Sequence, residues 1–234
     1  MKSIIKQILK KVSLMYFTIK NIYTNYIKKN NYISIKNIFI KGKLKIIGKN
    51  NIVKIDSYCN KLKININGNN NNIIITGNAI VGFAVEVYGD NNELCLLNID
   101  SIANSKVIIK GKKCIVKISD GTTIGGCRIV SSGEENMVYI GERCMLSDGI
   151  EIWASDTHRI INAEDEQLIN KAKDIIICND VWIGQGVTIL KGSKINAGSI
   201  VGMRAVVKKE IPEKSIYVTE YNGKIVKRNI KWSR

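Results

Sequence analysis

The sequence predicts an all-β chain wound as a parallel β-helix, and three observations carry that expectation. Five glycines, Gly48, Gly68, Gly89, Gly111 and Gly133, stand 20, 21, 22 and 22 residues apart, each followed by a polar turn and a short β-branched run. A second aliphatic stretch precedes each later glycine, as at Ile64 and Ile66, Val85 and Val87, or Val107 and Ile109. From Ile183 the period contracts to six, with Ile183, Ile189, Ile195, Val201 and Val207 in phase. The small or β-branched Val187, Ser193, Ser199 and Ala205 follow the first four of these by four residues. Glycine and asparagine tolerate the positive φ of tight corners, and isoleucine and valine suit a pleated, half-buried surface. An α-helix of about 3.6 residues per turn cannot hold a six-residue repeat on one face, whereas a flat-sided coil can. Each coil of such a stack buries its apolar face only against its neighbours.

The elements follow in order. Residues 1–36 read as a basic α-helical extension: apolar positions at 4/5, 8/9, 12, 15/16, 19, 22/23 and 26/27 keep helical spacing, with Lys2, Lys6, Lys10 and Lys20 largely off the stripe. Two readings of it stay open. Residues 1–30 either lie on an anionic membrane surface, or cap the open end of the solenoid or pack on another protomer. Residues 37–137 form irregular coils of the 20–22-residue period. Residues 138–211 form the hexapeptide coils, in phase with shorter runs at Ile118, Ile124 and Val130 and at Ile140, Leu146 and Ile152. Residues 159–174 interrupt them with a polar loop. Residues 212–234 are a short C-terminal extension.

Charge and composition exclude several function classes. The formal net charge is +16, yet residues 1–55 hold 13 lysines and no acid, which leaves the rest at only +3. The basic end lacks arginine and any nucleic-acid reading motif, so no nucleic-acid partner is expected. The longest uncharged stretch near the start, residues 12–19, is far short of the roughly 20 apolar residues that span a bilayer, and no signal-peptide cleavage site follows it. A cytoplasmic protein, at the inner face of the membrane if the basic helix binds lipid, is the corresponding expectation. The six cysteines are widely spaced and read as reduced apolar side chains. With one histidine, His158, no multi-imidazole zinc site can form, and no metal is expected. No Gly-rich phosphate-binding turn of the dinucleotide or P-loop type is present.

The run Ile183-Gly184-Gln185-Gly186-Val187-Thr188-Ile189 and the coils after it resemble the hexapeptide-repeat acyltransferases, whose fold is a left-handed parallel β-helix. Ser155-Asp156-Thr157-His158, followed 24 residues after the histidine by Trp182-Ile183-Gly184, resembles the sugar and polysaccharide O-acetyltransferase branch. The ending from Gly223 to Trp232 is similar to the usual C-terminal segment of that branch, although Glu220-Tyr221-Asn222 departs from its Gly-Asn-Pro. The resemblance covers about residues 138–234 closely and 37–137 in architecture only.

Chemistry centres on His158. An imidazole of ordinary pKa near ~6.5 accepts and releases a proton at neutral pH, and this one stands where the strict repeat stops. The resemblance implies that it is the general base that deprotonates a sugar hydroxyl. Asp156, two residues earlier, is a candidate to orient the ring if the segment is extended, since i and i+2 then share a face. Asp148 and Glu151 are candidates for acceptor contacts. The resemblance places Trp182 near the histidine, against acyl donor or acceptor. It also aligns Gly184, Gln185, Met203, Lys208 and Lys209 with positions that touch acetyl-CoA, and Arg204 is within reach of a phosphate. The loop 159–174 is expected to reach a neighbouring subunit, so a homotrimer with active sites between protomers is implied.

The expectation is therefore acetyl-CoA-dependent O-acetylation of a bacterial surface polysaccharide (capsule, polysialic acid or lipopolysaccharide) or its sugar precursor. N-acetylation of an amino sugar, free or nucleotide-linked, uses the same base and stays open. A β-helix used only as a scaffold is the alternative from another class. Carbonic anhydrase chemistry on this scaffold is excluded by the single histidine.

Overall fold

The computed structural model describes residues 30–37 and 39–220, and the chain from Asn31 to Tyr217 winds as one continuous parallel β-helix. Three ladders of parallel strands define three faces. Face 3 stacks Lys43–Ile47, Lys63–Asn67, Ala84–Tyr88, Lys106–Lys112, Cys127–Glu134, Ile150–Trp153, Thr188–Leu190 and Val206–Val207 in an 8-stranded sheet. Faces 1 and 2 share a 15-stranded sheet, because in the early coils one strand, such as Asn72–Val81 or Glu93–Ala103, bends through both. In later coils they separate, face 1 through Ile175–Ile177, Lys194–Ile195 and Glu210–Ile211, and face 2 through Trp182–Ile183, Ile200–Val201 and Ile216–Tyr217. Every pairing between these strands is parallel, which matches the near-continuous aliphatic sequence of buried ladders.

The repeat explains the core. On face 3 the inward column runs Leu44, Ile64, Val85, Val107, Ile129, Ile152, Ile189 and Val207, each stacked in register on the next. The hexad aliphatics Ile183, Ile189, Ile195, Val201 and Val207 are all fully buried, as are Val187, Ser193, Ser199 and Ala205. One residue of the expected phase moves. Val130 stacks outward between Ile108 and Trp153, and Ile129 takes the inward column position. The turn Gly125-Gly126 is one residue shorter than Ser147-Asp148-Gly149 in the next coil, which advances the phase.

The Gly and Asn turns stack into two columns. In the coils headed by Gly48, Gly68, Gly89 and Gly111, a Cβ on each glycine would fall within 2.0 Å of the carbonyl oxygen of the next, so no side chain fits there. Two residues beyond each glycine, Asn50, Asn70, Asn91 and Lys113 adopt left-handed backbone. One residue further, Asn51, Asn71 and Asn92 form a buried ladder, which Asn31, after the left-handed Asn30, extends to the preceding coil. Asn71 Nδ2 donates to Asn51 Oδ1 (3.0 Å) and to the Gly89 carbonyl (2.9 Å). Its Oδ1 accepts from Asn92 N (2.9 Å) and Asn92 Nδ2 (3.1 Å). The ladder passes to Cys114, whose backbone N donates to Asn92 Oδ1.

Two boundaries shift from the sequence expectation. Tyr32–Lys36 is already a strand paired to Ile52–Asn60, because Asn31 is a rung of the asparagine ladder and accepts from Asn51 N. At the other end Ile216–Tyr217 still pairs with Ile200–Val201, and Tyr217 packs on the core while its hydroxyl donates to the Val206 carbonyl (3.0 Å). The amphipathic stretch 1–29, and with it the membrane and end-cap readings, lies outside the described residues, as do 221–234. Among the described residues no helix is long and apolar enough to cross a membrane. The six cysteines form no disulfide, and all but Cys178 are buried; burial pushes the thiol of Cys59 up to about 11.

The outward rows differ sharply in charge. The outer row of face 2 reads Tyr58, Ala79, Ser101, Thr123, Met145, Trp182, Ile200 and Ile216, with no charged residue. Met145 (50%), Trp182 (48%) and Ile216 (74%) are largely exposed.

Candidate active site

The strand Ile150–Trp153 ends face 3, and the chain then leaves the prism at the corner between faces 3 and 1. It returns at Ile175–Ile177 on face 1. Thr157 sits in this departure with φ 63°, a left-handed conformation that is costly for a β-branched residue. Its backbone N donates to Ser155 Oγ (2.9 Å), which in turn lies 3.1 Å from Ser132 Oγ on the coil below. His158 follows. Its backbone N donates to the Asp156 carbonyl (2.7 Å), its side chain is exposed, and the imidazole has no hydrogen-bond partner among the described residues.

The expected Asp156–His158 side-chain pair does not form. The segment is a turn, so positions two apart do not share a face as they do in a strand. The Asp156 carboxylate instead accepts from Lys191 Nζ and from Asn170 Nδ2 (2.9 Å). Asn170 is the hub of the corner. Its Nδ2 also donates to the His158 carbonyl (2.8 Å), and its Oδ1 accepts from Ile160 N (2.7 Å). Lys191 Nζ closes the ring by donating to the Asn170 carbonyl (3.2 Å). Asp156 thus fixes the backbone that carries the histidine, not the ring. The hydrogen bond from Lys191 holds the Asp156 carboxyl below the usual carboxylate range. A depressed folded value means that this clamp contributes above the ordinary carboxylate range and is lost as pH falls through the depressed value.

The interrupting segment is more ordered than its polar composition suggests. Ile161 and Leu168 form an antiparallel bridge, and Ile169 N donates to the Ile160 carbonyl (3.0 Å), so a small hairpin projects from the corner. Ile160, Ile161 and Ile169 are exposed on it.

The remaining candidates divide between two corners. Trp182 opens face 2, between Met145 and Ile200, and face 1 separates it from the His158 corner within one chain. Gly184, Gln185, Met203 and Arg204 lie where face 2 turns into face 3. There Gln185 Nε2 donates to Asp148 Oδ2 (3.2 Å) and Arg204 N to the Gln185 carbonyl (2.8 Å). Lys208 and Lys209 follow Val206–Val207 and stand at the His158 corner, so the six expected donor contacts are not one cluster in a protomer. Asp148 and Glu151 line a groove of about 370 Å³ at the edge between faces 2 and 3, with Asn104, Lys106 and Arg128. Trp153 Nε1 donates to Glu151 Oε2 (2.8 Å). Among the described residues no group of His, Cys, Asp and Glu is arranged to hold a metal ion.

Sequence reasoning missed Asn170 and Lys191. Lys191 was within reach of register counting, because Leu190 stacks on Trp153 and Lys191 therefore stands above the start of the departing loop. Asn170 had no signal, since its position depends on the hairpin.

No family model matches the chain. It is 36% identical over 169 residues to the polysialic acid O-acetyltransferase of Neisseria meningitidis, an alignment covering 63% of this chain and 78% of that protein. It is 38% identical over 130 residues to the polysialic acid O-acetyltransferase of Escherichia coli O1:K1 / APEC, over 55% of this chain but only 40% of that protein. Among solved structures, the polysialic acid-specific acetyltransferase NeuO matches with a TM-score of 0.59 and 32% identity, over 86% of this chain and 83% of that one.

Proposed function

We propose, since the chain belongs to the hexapeptide-repeat O-acetyltransferases, that it transfers an acetyl group from acetyl-CoA to a hydroxyl of an anionic bacterial capsular polysaccharide of the polysialic acid type. The observation that carries the reading is the corner at His158: an exposed imidazole with no hydrogen-bond partner among the described residues, on a backbone pinned by Asn170, Asp156 and Lys191. Such a ring is available to take the proton of an acceptor hydroxyl as its oxygen attacks the thioester carbonyl. The new C–O bond forms, the C–S bond breaks, and the thiolate leaves with the proton returned by the imidazolium. Backbone N–H groups stabilise the oxyanion in between.

The assembly follows from what one chain lacks. His158 and Trp182 stand on opposite sides of face 1, so we assign them to one active site only across two protomers. One protomer contributes His158, its isoleucine-bearing hairpin, Lys208 and Lys209. Its neighbour contributes Trp182 with Gly184, Gln185, Met203 and Arg204. Arg204, Lys208 and Lys209 supply cations for the phosphates of the donor. Closing this relation with three copies makes the homotrimer, and the uncharged row of face 2 is the surface suited to be covered. Trp182→Glu, which places a charge in that row, is expected to convert a trimer to monomer in sedimentation velocity and to remove activity with it. A variant that stays trimeric would overturn the placement of face 2 at the interface.

Asn170 is a positioning residue. Asn170→Ala is expected to lower turnover about tenfold with little change in the KM for acetyl-CoA, because a displaced base affects the chemical step. Asn170→Asp, which keeps the acceptor for Ile160 N but not the donors, is expected to recover only part of the loss.

The reaction itself is tested by thiol release from acetyl-CoA in the presence of polysialic acid, a neutral polysaccharide and a free amino sugar. Release with polysialic acid, and an acetyl product cleaved by mild alkali, is expected. An alkali-stable product formed on the amino sugar would overturn O-acetylation in favour of N-acetylation.

A further inference from the structure

Face 3 carries a feature that neither the His158 corner nor the face 2 row uses. Its outer row at the first strand position reads, coil by coil, Lys43, Lys63, Ala84, Lys106, Arg128 and Glu151. Lys45 and Lys110 flank it on the same surface. Lys43, Lys45 and Lys63 have no ion-pair partner among the described residues, whereas Lys106 pairs with Glu86 (2.8 Å) and Arg128 stacks 5.1 Å from the Trp153 ring. Parallel strands are spaced about 4.8 Å apart, so Lys43 and Lys63, and Lys106 and Arg128, stand about one glycan residue apart, and Lys63 and Lys106, with Ala84 between them, about two. The row then changes sign. It enters the groove of Lys106, Arg128, Asp148 and Glu151, beside the edge where Gln185 donates to Asp148.

We infer that the basic row of face 3 is a track for the polymeric acceptor, an extended polysaccharide bearing one carboxylate per residue and running along the solenoid axis. This deepens, and rests on, the reading of the acceptor given above. Lys43, Lys63, Lys106 and Arg128 attract the carboxylates of residues remote from the reaction. Asp148 and Glu151, at the end of the row, repel carboxylates but accept hydrogen bonds from sugar hydroxyls, which sets where the chain of charges ends and the modified residue begins. Charge complementarity selects this occupant over a neutral glycan. Exposed cations act through a screened potential, so the attraction weakens with salt and grows with the number of acceptor residues engaged.

The test uses the full chain and measures binding of long polysialic acid separately from transfer. Lys43→Gln/Lys63→Gln is expected to weaken binding of the polymer about tenfold at low ionic strength, as the loss of two exposed charge pairs would. The KM for acetyl-CoA and transfer to a fragment of two or three residues are expected to be unchanged. Binding of the polymer that is equal in wild type and variant, or absent in both, overturns the track. Tighter binding through the same lysines to phosphatidylglycerol vesicles or a DNA duplex than to polysialic acid overturns the glycan as its occupant. If the wild type binds the polymer through these lysines but transfers no acetyl group to it, the track stands and the proposed reaction falls.

Discussion

His158→Ala is expected to reduce acetyl transfer by about a hundredfold to ten-thousandfold, the range a lost general base commands, without loosening the fold. The second half of that expectation makes the first informative. The imidazole is exposed and makes no hydrogen bond among the described residues, and what holds the corner is backbone: the His158 N–H on the Asp156 carbonyl and the His158 carbonyl under Asn170 Nδ2. Alanine keeps both. Unfolding of the variant should therefore coincide with that of the wild type, while thiol release from acetyl-CoA with polysialic acid collapses. Equal thiol release from the two proteins would remove His158 from the reaction. A scaffold without catalytic function gives that same equality, with no release above the uncatalysed rate.

Asn71→Leu is expected to cost about 3–5 kcal/mol of stability, although it swaps a side chain for another of similar size. Asn71 is buried, and leucine leaves the Asn92 N–H and the Gly89 carbonyl without the partner that each has now, and takes from Asn51 Oδ1 one of its two donors, the backbone N–H of residue 71 remaining. The unmet groups lie on the following coil and the weakened acceptor on the preceding one, so the damage reaches beyond the substituted coil. Asn70→Gly, one residue earlier, is the matched control. Asn70 is exposed with φ 55°, a conformation glycine adopts readily, and its replacement should change stability by no more than about 0.5 kcal/mol. Urea titration of the two variants reads the difference. Similar midpoints for both would show that the ladder is not what holds these coils.

The solenoid was legible because its physics is local and repeated: a glycine that no Cβ can replace, a left-handed turn, a buried amide, then alternating aliphatics. Where the spacing between turns changed, legibility failed. The expected inward position of Val130 was off by one because Gly125-Gly126 is a shorter turn than its counterpart, and no composition signal marks that. At the site, His158 and Trp182 stood out by motif, and register counting would have put them on different faces. The pairing of Asp156 with His158 assumed an extended segment, which the left-handed Thr157 denies. Lys191 and Asn170 come from a later coil and a hairpin, and contacts of that kind are set by tertiary structure.

The glycine and asparagine columns also constrain how such a chain can change over generations. Each rung depends on groups some twenty residues away along the backbone and one strand away in space, so substitutions in these columns should covary vertically while adjacent corner residues drift freely. Length, by the same logic, is inherited most simply in whole turns: duplication of a complete coil continues both columns, whereas a residue gained or lost between corners must be absorbed within its own strand, as the register shifts between Asp56 and Tyr58 and between Ile75 and Gly77 do.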